Sequence, residues 1–411
     1  MPLVDAIATD NPSHNEAGKT RTILARRLAD IVCLPSSRIT PVERHMSGDL
    51  LVGILAQSPL ELRQRCARRV APLMDVAPGL MRFLIRDEIS VARLVLEASE
   101  ALSDLQLVEA ARATTPEHRQ IIARRRGLSE LVCEALLAPG EPEVTAKVLR
   151  NRSAILSQDG LDRALELSRT HPALCTDLLK RPELRPSQGL TLFWWASPKE
   201  RSRVLIRFAV GRDIMQDAAG DIFSMMAEED WQDPLVRKAM QFIERRQRNR
   251  AAIDKSPYSS LENAIDSALE VGIDAALAEE ISYLSGIKPV SGAQILSDIN
   301  GEPIAVLCKA TGLKRDYLIK LWRALKRPMG TEVALDPTLE RTIACFDSLS
   351  SNKAQTVLRY WNWALSADLT AEHQAEIRAP GHMHLSQDMT TPERTAALVY
   401  GQWGDPDTSA I

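Results

Sequence analysis

The feature that most constrains this chain is a helix-start signal that recurs through its first half. Segments of one type open at intervals of 26 to 30 residues, at Pro59, Ile89, Pro116, Pro142, Pro172 and Pro198. Proline is favoured at the first helical position because its φ angle is preset and no hydrogen bond is lost there. Each of the five prolines therefore predicts the start of a helix, and the segment at Ile89 fits the same pattern without a proline.

A second signal falls between these starts. Leucine followed by serine, at Ser103, Ser129 and Ser157, precedes an acidic or amide residue and is typical of an N-terminal helix cap. The repeat thus contains two short helices, and such a pair must stack on its neighbours to bury its apolar stripe. Hydrophobic residues make up 45% of the chain and aromatic residues only 4%, which favours helix packing through small side chains. The sequence predicts an all-α fold, with an α-solenoid of short helix pairs followed by a second, smaller helical domain.

Three stretches of the repeat carry a resemblance to a known family. Residues 86–92 read Arg-Asp-Glu-x-x-Val-Ala, residues 116–125 read Pro-Glu-His-Arg-x-x-Ile-Ala-Arg-Arg, and residues 144–151 end in Leu-Arg-Asn. They resemble a bacterial family of unknown function found chiefly in alphaproteobacteria. The resemblance implies HEAT-like helical repeats and a regulatory setting, and it supplies no active site to transfer.

Breaks in the helical pattern divide the chain into four predicted parts. We expect a disordered lead-in over residues 1–20, the solenoid over 21–250, a C-terminal helical domain over 258–369 and a flexible tail over 370–411. The basic run that ends at Arg250, followed by the helix-breaking Ser256-Pro257, suits the boundary between the two domains.

Individual helices are also predicted before the repeat and in the C-terminal domain. Thr40-Pro41-Val42-Glu43 is a capping box, which predicts a helix over 41–55. In the C-terminal domain the apolar periodicity predicts helices over 260–271, 274–286, 290–299, 302–311, 314–326, 337–349 and 352–366.

Arginine residues recur near the ends of the proline-started helices. If these helices line the concave side of the solenoid, a basic ladder results, to which we assign Arg65, Arg68, Arg124, Arg125, Arg150, Arg181 and Arg207. A ladder of this kind suits an acidic protein surface, a cyclic dinucleotide or other anionic small ligand, or a nucleic-acid backbone. The alternative is structural, because cations at helix C-termini complement the helix dipole and pair with nearby carboxylates.

The sharpest local motif covers residues 304–325 and resembles a helix-turn-helix. Gly312 occupies the turn, and Lys314, Arg315, Lys320 and Arg323 would face DNA phosphates or a groove. Against this, a glycine turn is a common way to join any two helices, and the surrounding domain is acidic.

Motifs for catalysis are missing from the sequence. It contains no glycine-rich phosphate loop, nucleophile elbow or His-Glu-x-x-His pair, so we expect a protein that is not an enzyme and needs neither a cofactor nor a metal. Some helical-repeat proteins are DNA glycosylases, and Trp194-Trp195 would suit stacking on a base, which makes base excision a remote alternative.

The cysteines and the hydropathy of the chain indicate the cellular compartment that we expect for it. The six cysteines are far apart and form no Cys-x-x-Cys pair, which indicates reduced thiols. No signal peptide and no apolar stretch of about 18 residues is present, so we expect a cytoplasmic protein without a membrane span. The favoured function is a regulatory scaffold that binds a protein partner, and the principal alternative is a DNA-binding transcriptional regulator.

Overall fold

The computed structural model describes residues 12–209, 256–331, 334–368, 385 and 389–400. Within these ranges the chain forms 21 α-helices, one 3-10 turn and no β-strand, which confirms the all-α class. The chain divides into two compact units, residues 1–183 and 184–411. No helix in the described ranges is long and apolar enough to cross a membrane.

The first unit is a series of short helices. In chain order they are α1 Pro12–Val32, α2 Pro41–Leu55, α3 Leu60–Val70, α4 Pro78–Ile85, α5 Ile89–Ala98, α6 Asp104–Ala113, α7 Pro116–Ile122, α8 Glu130–Leu137, α9 Pro142–Arg150, α10 Gln158–Thr170 and α11 Cys175–Leu178, with a 3-10 turn over Pro172–Leu174 before α11. From α2 to α10 each even-numbered helix contacts the next even-numbered one, and α3 to α11 form a second row in the same way. The first unit is therefore a repeat of helix pairs in two layers, as predicted.

The caps that define these helices are the predicted ones. Ser103, Ser129 and Ser157 are the N-caps of α6, α8 and α10, and each hydroxyl accepts a hydrogen bond from the backbone N–H three residues later. Thr40 and Glu43 form the predicted capping box at the start of α2. These bonds satisfy donors that would otherwise be left free in the first turn of each helix.

In the second unit, several helices pack around one apolar helix. Its helices are α12 Pro186–Leu192, α13 Pro198–Phe208, α14 Leu261–Val271, α15 Ala275–Leu284, α16 Pro289–Ser297, α17 Glu302–Thr311, α18 Arg315–Ala324, α19 Pro337–Ser348, α20 Ser351–Asp368 and α21 Thr391–Tyr400. Helix α17 contacts α16, α18, α19 and α20, and every residue from Glu302 to Cys308 is buried. The helices from α14 to α20 begin and end within two residues of their predicted bounds.

The domain scheme needs three corrections. The first unit ends at Glu183, far before residue 250, because α12 packs on α20 and α13 is bonded to residues near α17. Helix α1 begins at Pro12, inside the expected lead-in; further along it buries Ala25 and Val32 and packs on α2 and α3.

The third correction concerns the expected tail, which contains helix α21 packed on α15 and α16. Its start is fixed locally by Thr390, whose N–H and hydroxyl both donate to the Glu393 carboxylate. The part of the expected solenoid between residues 210 and 250 lies outside the described residues, as do residues 1–11 of the expected lead-in and most of the remaining tail.

Candidate functional site

The arginines of the predicted ladder do not share one role in the structure. Arg125, in the turn after α7, donates through its guanidinium to the carbonyl oxygens of Leu96 and Ser99, the latter at 2.7 Å. Both carbonyls belong to the C-terminal end of α5, in the preceding repeat. Arg125 therefore caps a neighbouring helix, and its guanidinium is occupied by backbone oxygens.

Arg181 repeats this arrangement two repeats later. It is only 3% exposed, and its guanidinium donates to the carbonyl oxygens of Asn151 at 2.9 Å and Ala154 at 2.7 Å. Asn151 does the same one repeat earlier, since its amide donates to the carbonyls of Ala123 and Arg125 after α7. Three successive repeats are thus joined by side chains that satisfy the free carbonyls at helix ends.

Two other ladder residues lie together on the odd-numbered row of helices. Arg124 and Arg150 flank Lys147, and together with Lys180 they form what we term the basic patch. Arg124 is exposed and has no polar partner within the described residues, and Lys147 donates to the side-chain oxygen of Gln120. Successive repeats contribute to this patch, because its residues come from α9 and from the turns after α7 and α11.

Two carboxylates hold the patch in place. The Asp177 side chain is buried, and its two oxygens lie 2.7 Å from Arg150 Nε and 3.0 Å from Lys180 Nζ. Glu143 accepts from the Gln120 amide at 2.7 Å. Four cations against two carboxylates leave the patch with a net positive charge.

The pKa of Lys147 is affected by the cations around it. Burial lowers the pKa of Lys147, and the neighbouring guanidinium groups of Arg124 and Arg150 lower it further, while Glu143 opposes them. The three cations therefore act on one another, so an incoming carboxylate would relieve this repulsion.

The other ladder residues lie apart from the basic patch. Arg65 and Arg68 are exposed on α3 and share no contact with the patch residues in the described chain. Arg207 belongs to the second unit, where its guanidinium lies 4.6 Å from the ring centroid of Phe208. The ladder predicted from register is thus reduced to the Arg124 and Arg150 positions.

The helix-turn-helix-like segment corresponds to α17 and α18, and its cations lie beside carboxylates. Lys320 Nζ is 2.6 Å from Asp266, and Arg315 is 3.4 Å from Asp347.

The two remaining predicted cations, Lys314 at the N-cap of α18 and Arg323 near its end, are exposed. The acidic neighbours of the other two reduce the positive charge that this unit presents for phosphate contacts. Since α17 is buried by the surrounding helices, only α18 offers a free face.

The tryptophan pair considered for base stacking belongs to an aromatic cluster of the second unit. The Trp194 ring lies 5.8 Å from the Phe193 centroid and 5.0 Å from that of Trp361. Trp194 and Trp195 are each only partly exposed. Trp194 therefore packs against other rings of its own unit, which accounts for its apolar character.

A buried ionic cluster in the second unit was not apparent from the sequence. Arg201 on α13 lies 2.9 Å from Asp298 and 3.3 Å from Glu302, and all three side chains are almost fully buried. Burial raises the pKa of Glu302, an effect that Arg201 opposes. Arg327 and Arg394 complete the cluster, and burial lowers the pKa of Arg327 to about 9. Arg201 is separated from Asp298 by 97 positions and from Glu302 by 101, so no local pattern predicts this cluster.

Among the described residues, no group of three or more His, Cys, Asp or Glu side chains could hold a metal ion. A family described as "uncharacterised protein conserved in bacteria (DUF2336)" matches the chain over residues 91–359, which is more than half of it. No curated protein and no solved structure matches the chain.

Proposed function

The chain belongs to this bacterial family, and we propose that it is a non-catalytic regulatory scaffold whose basic patch binds an acidic segment of a protein partner. The observation that carries the proposal is the grouping of Arg124, Lys147 and Arg150 on consecutive repeats, with Arg124 free to bind. A repeat surface of this kind suits an extended partner that contacts several repeats at once.

The different roles of the arginines in the first unit support the proposal. Arg125 and Arg181 hold the repeats together, whereas Arg124 is exposed and the exposed Lys180 pairs with Asp177. The free carbonyls at these helix ends are therefore satisfied without Arg124. A reducing, cytoplasmic setting is part of the proposal, since all six cysteines are free thiols.

The first step of the test identifies the partner. A photo-crosslinking amino acid placed at Gln120, beside Lys147, is expected to trap a protein in the host cell. The same group placed at Arg65, on α3 and outside the patch, serves as the control. The trapped protein is then purified, and its affinity for the full chain is measured by calorimetry.

The second step tests the charges. Arg124→Glu and Arg150→Gln together should weaken binding at least tenfold, because close charge pairs across an interface contribute more than about 1.5 kcal/mol. The matched variant with Arg65→Glu and Arg68→Glu should bind within twofold of the wild type. A partner variant with one acidic residue changed to lysine should regain affinity for Arg124→Glu.

Two results would refute the proposal. One is unchanged partner affinity in the Arg124 and Arg150 variant. The other is salt-dependent binding of duplex DNA at about 50 mM salt that Arg124→Glu abolishes, which would make the ligand of the patch a nucleic acid.

A further inference from the structure

Three consecutive repeats each end in a side chain that is anchored to the repeat before it. The anchored residues are Arg125, Asn151 and Arg181, and each lies nine residues after the proline that marks its repeat. Each of them donates to two backbone carbonyls at or just after the end of the preceding odd-numbered helix. Because the three side chains are bound in the same way, the residues beside them occupy equivalent positions in successive repeats.

The residue before each anchored side chain is an exposed cation. These cations are Arg124, Arg150 and Lys180. The Asp177 carboxylate lies 2.7 Å from Arg150 and 3.0 Å from Lys180, whereas Arg124 has no carboxylate partner within the described chain. The three equivalent positions therefore carry three positive charges against one negative charge.

The distance between these positions follows from the packing of the helices. Helix α9 contacts both α7 and α11, and packed helices lie about 8–10 Å apart. An extended chain advances about 3.3 Å per residue, so about three of its residues span one repeat. A chain that lies across the three helices therefore meets an equivalent cation at every third residue.

In two of the three repeats, a second exposed cation follows the anchored residue. Arg126 follows Arg125, and Arg152 follows Asn151. A guanidinium group has five N–H donors, and the backbone carbonyls of an extended segment are free to accept from them. The carbonyls of an α-helix are already bonded within the helix. The paired cations thus favour an extended segment over a helical one.

We infer that the basic patch recognises an extended segment with an acidic residue at every third position, so that each repeat binds one carboxylate. This inference rests on the proposed function, because it specifies the partner of the same patch. The carboxylates bind at Arg124, Arg150 and Lys180, and backbone carbonyls between them bind at Arg126 and Arg152. A segment of about seven residues is long enough to reach all three repeats.

The test uses the full chain and labelled nonapeptides, with binding followed by fluorescence anisotropy at about 50 mM salt, where charge pairs are screened less. The first peptide has glutamate at its second, fifth and eighth positions, and serine and proline between them prevent helix formation. Its isomer has the same composition with the three glutamates in succession. The first peptide should bind at least tenfold more tightly, because only its carboxylates can meet three repeats at once.

Lys180→Gln tests the register of the bound peptide. This variant should bind the first peptide at least threefold more weakly, because one of the three charge pairs is lost. A peptide whose eighth residue is glutamine should lose no more than about twofold, because Arg124 and Arg150 still bind its two carboxylates. Arg163→Gln removes an exposed cation of α10 outside the patch and should change neither affinity.

The inference fails if the two isomers bind equally or if neither binds. Tighter binding of an alanine-based helical peptide with glutamates about 10 Å apart on one face would also overturn it. A trapped partner that the Arg124 and Arg150 variant releases, but whose acidic residues do not follow this spacing, would refute the inference and leave the proposed function intact. Unchanged partner affinity in that variant would remove both.

Discussion

The two units use charged side chains in different ways. In the first unit Arg181 reaches the carbonyl of Asn151, 30 residues earlier, and so joins one repeat to the next. In the second unit Arg201 reaches Asp298, 97 residues later, and so joins segments that are far apart in the sequence. Loss of one such contact should therefore destabilise only adjacent repeats in the first unit, but most of the helices in the second.

The largest effect is expected at the buried ionic cluster. Arg201→Ala leaves Asp298 and Glu302 buried without their nearest cation, and breaking such a pair costs about 3–5 kcal/mol. Urea unfolding of the full chain measures the change. Arg203→Ala, on the exposed side of the same helix, should stay within about 0.5 kcal/mol, and equal losses in both variants would show that the cluster is not what stabilises the unit.

A smaller loss is expected where α17 begins. Gly301 has a φ angle of 85°, and an added Cβ would lie 2.3 Å from a ring carbon of Trp322. Gly301→Ala combines left-handed strain with overpacking, for which we expect a loss of about 2–4 kcal/mol. Gly312→Ala shares the positive φ angle and has open space at the Cβ position, so it should lose only about 1–2 kcal/mol. Thermal unfolding of the two variants separates backbone strain from steric crowding. Equal losses of stability in both variants would contradict a close approach of Trp322 to residue 301.

In the first unit the corresponding test is Arg181→Gln. It leaves the carbonyls of Asn151 and Ala154 without their buried donor, which costs about 1–3 kcal/mol. Arg124→Gln should change stability by less than about 0.5 kcal/mol because its side chain is exposed and forms no hydrogen bond or ion pair with the described residues. If Arg124→Gln destabilises the chain as much as Arg181→Gln, the division between joining and binding arginines is wrong.

The smallest effect is expected at a helix cap. Ser103→Ala removes the acceptor for the Gln106 N–H at the start of α6, which costs about 1 kcal/mol. Ser90→Ala, at an exposed position near the start of α5, should be neutral or slightly favourable, because alanine is the better helix former. Chemical denaturation of both variants checks this, and a Ser103→Ala chain as stable as the wild type would deny the cap a role.

The contrast between the units also explains what could be predicted from the sequence. Helix starts at Thr40, Ser103 and Pro142 depend on residues within one turn, so local patterns identify them. The division of the chain at Glu183 could not be predicted, because it depends on α12 packing against α20, and neither helix carries a signal for the other.

The candidate site was predictable only in part. The register of basic residues included Arg124 and Arg150, which the fold brings close to Lys147. The same register included Arg125 and Arg181, and no sequence pattern distinguishes a guanidinium that faces solvent from one that caps a helix in the preceding repeat. That distinction depends on the rotation between repeats, which is a property of packing.

Hydrogen exchange of the two arginine variants, followed helix by helix in the full chain, tests this contrast most directly. Arg181→Gln should speed exchange in α9, α10 and α11 and leave α3 to α5 unchanged, whereas Arg201→Ala should speed exchange throughout α16, α17, α18 and α21. Faster exchange along the whole first unit in Arg181→Gln, or a change confined to α13 in Arg201→Ala, would contradict the account.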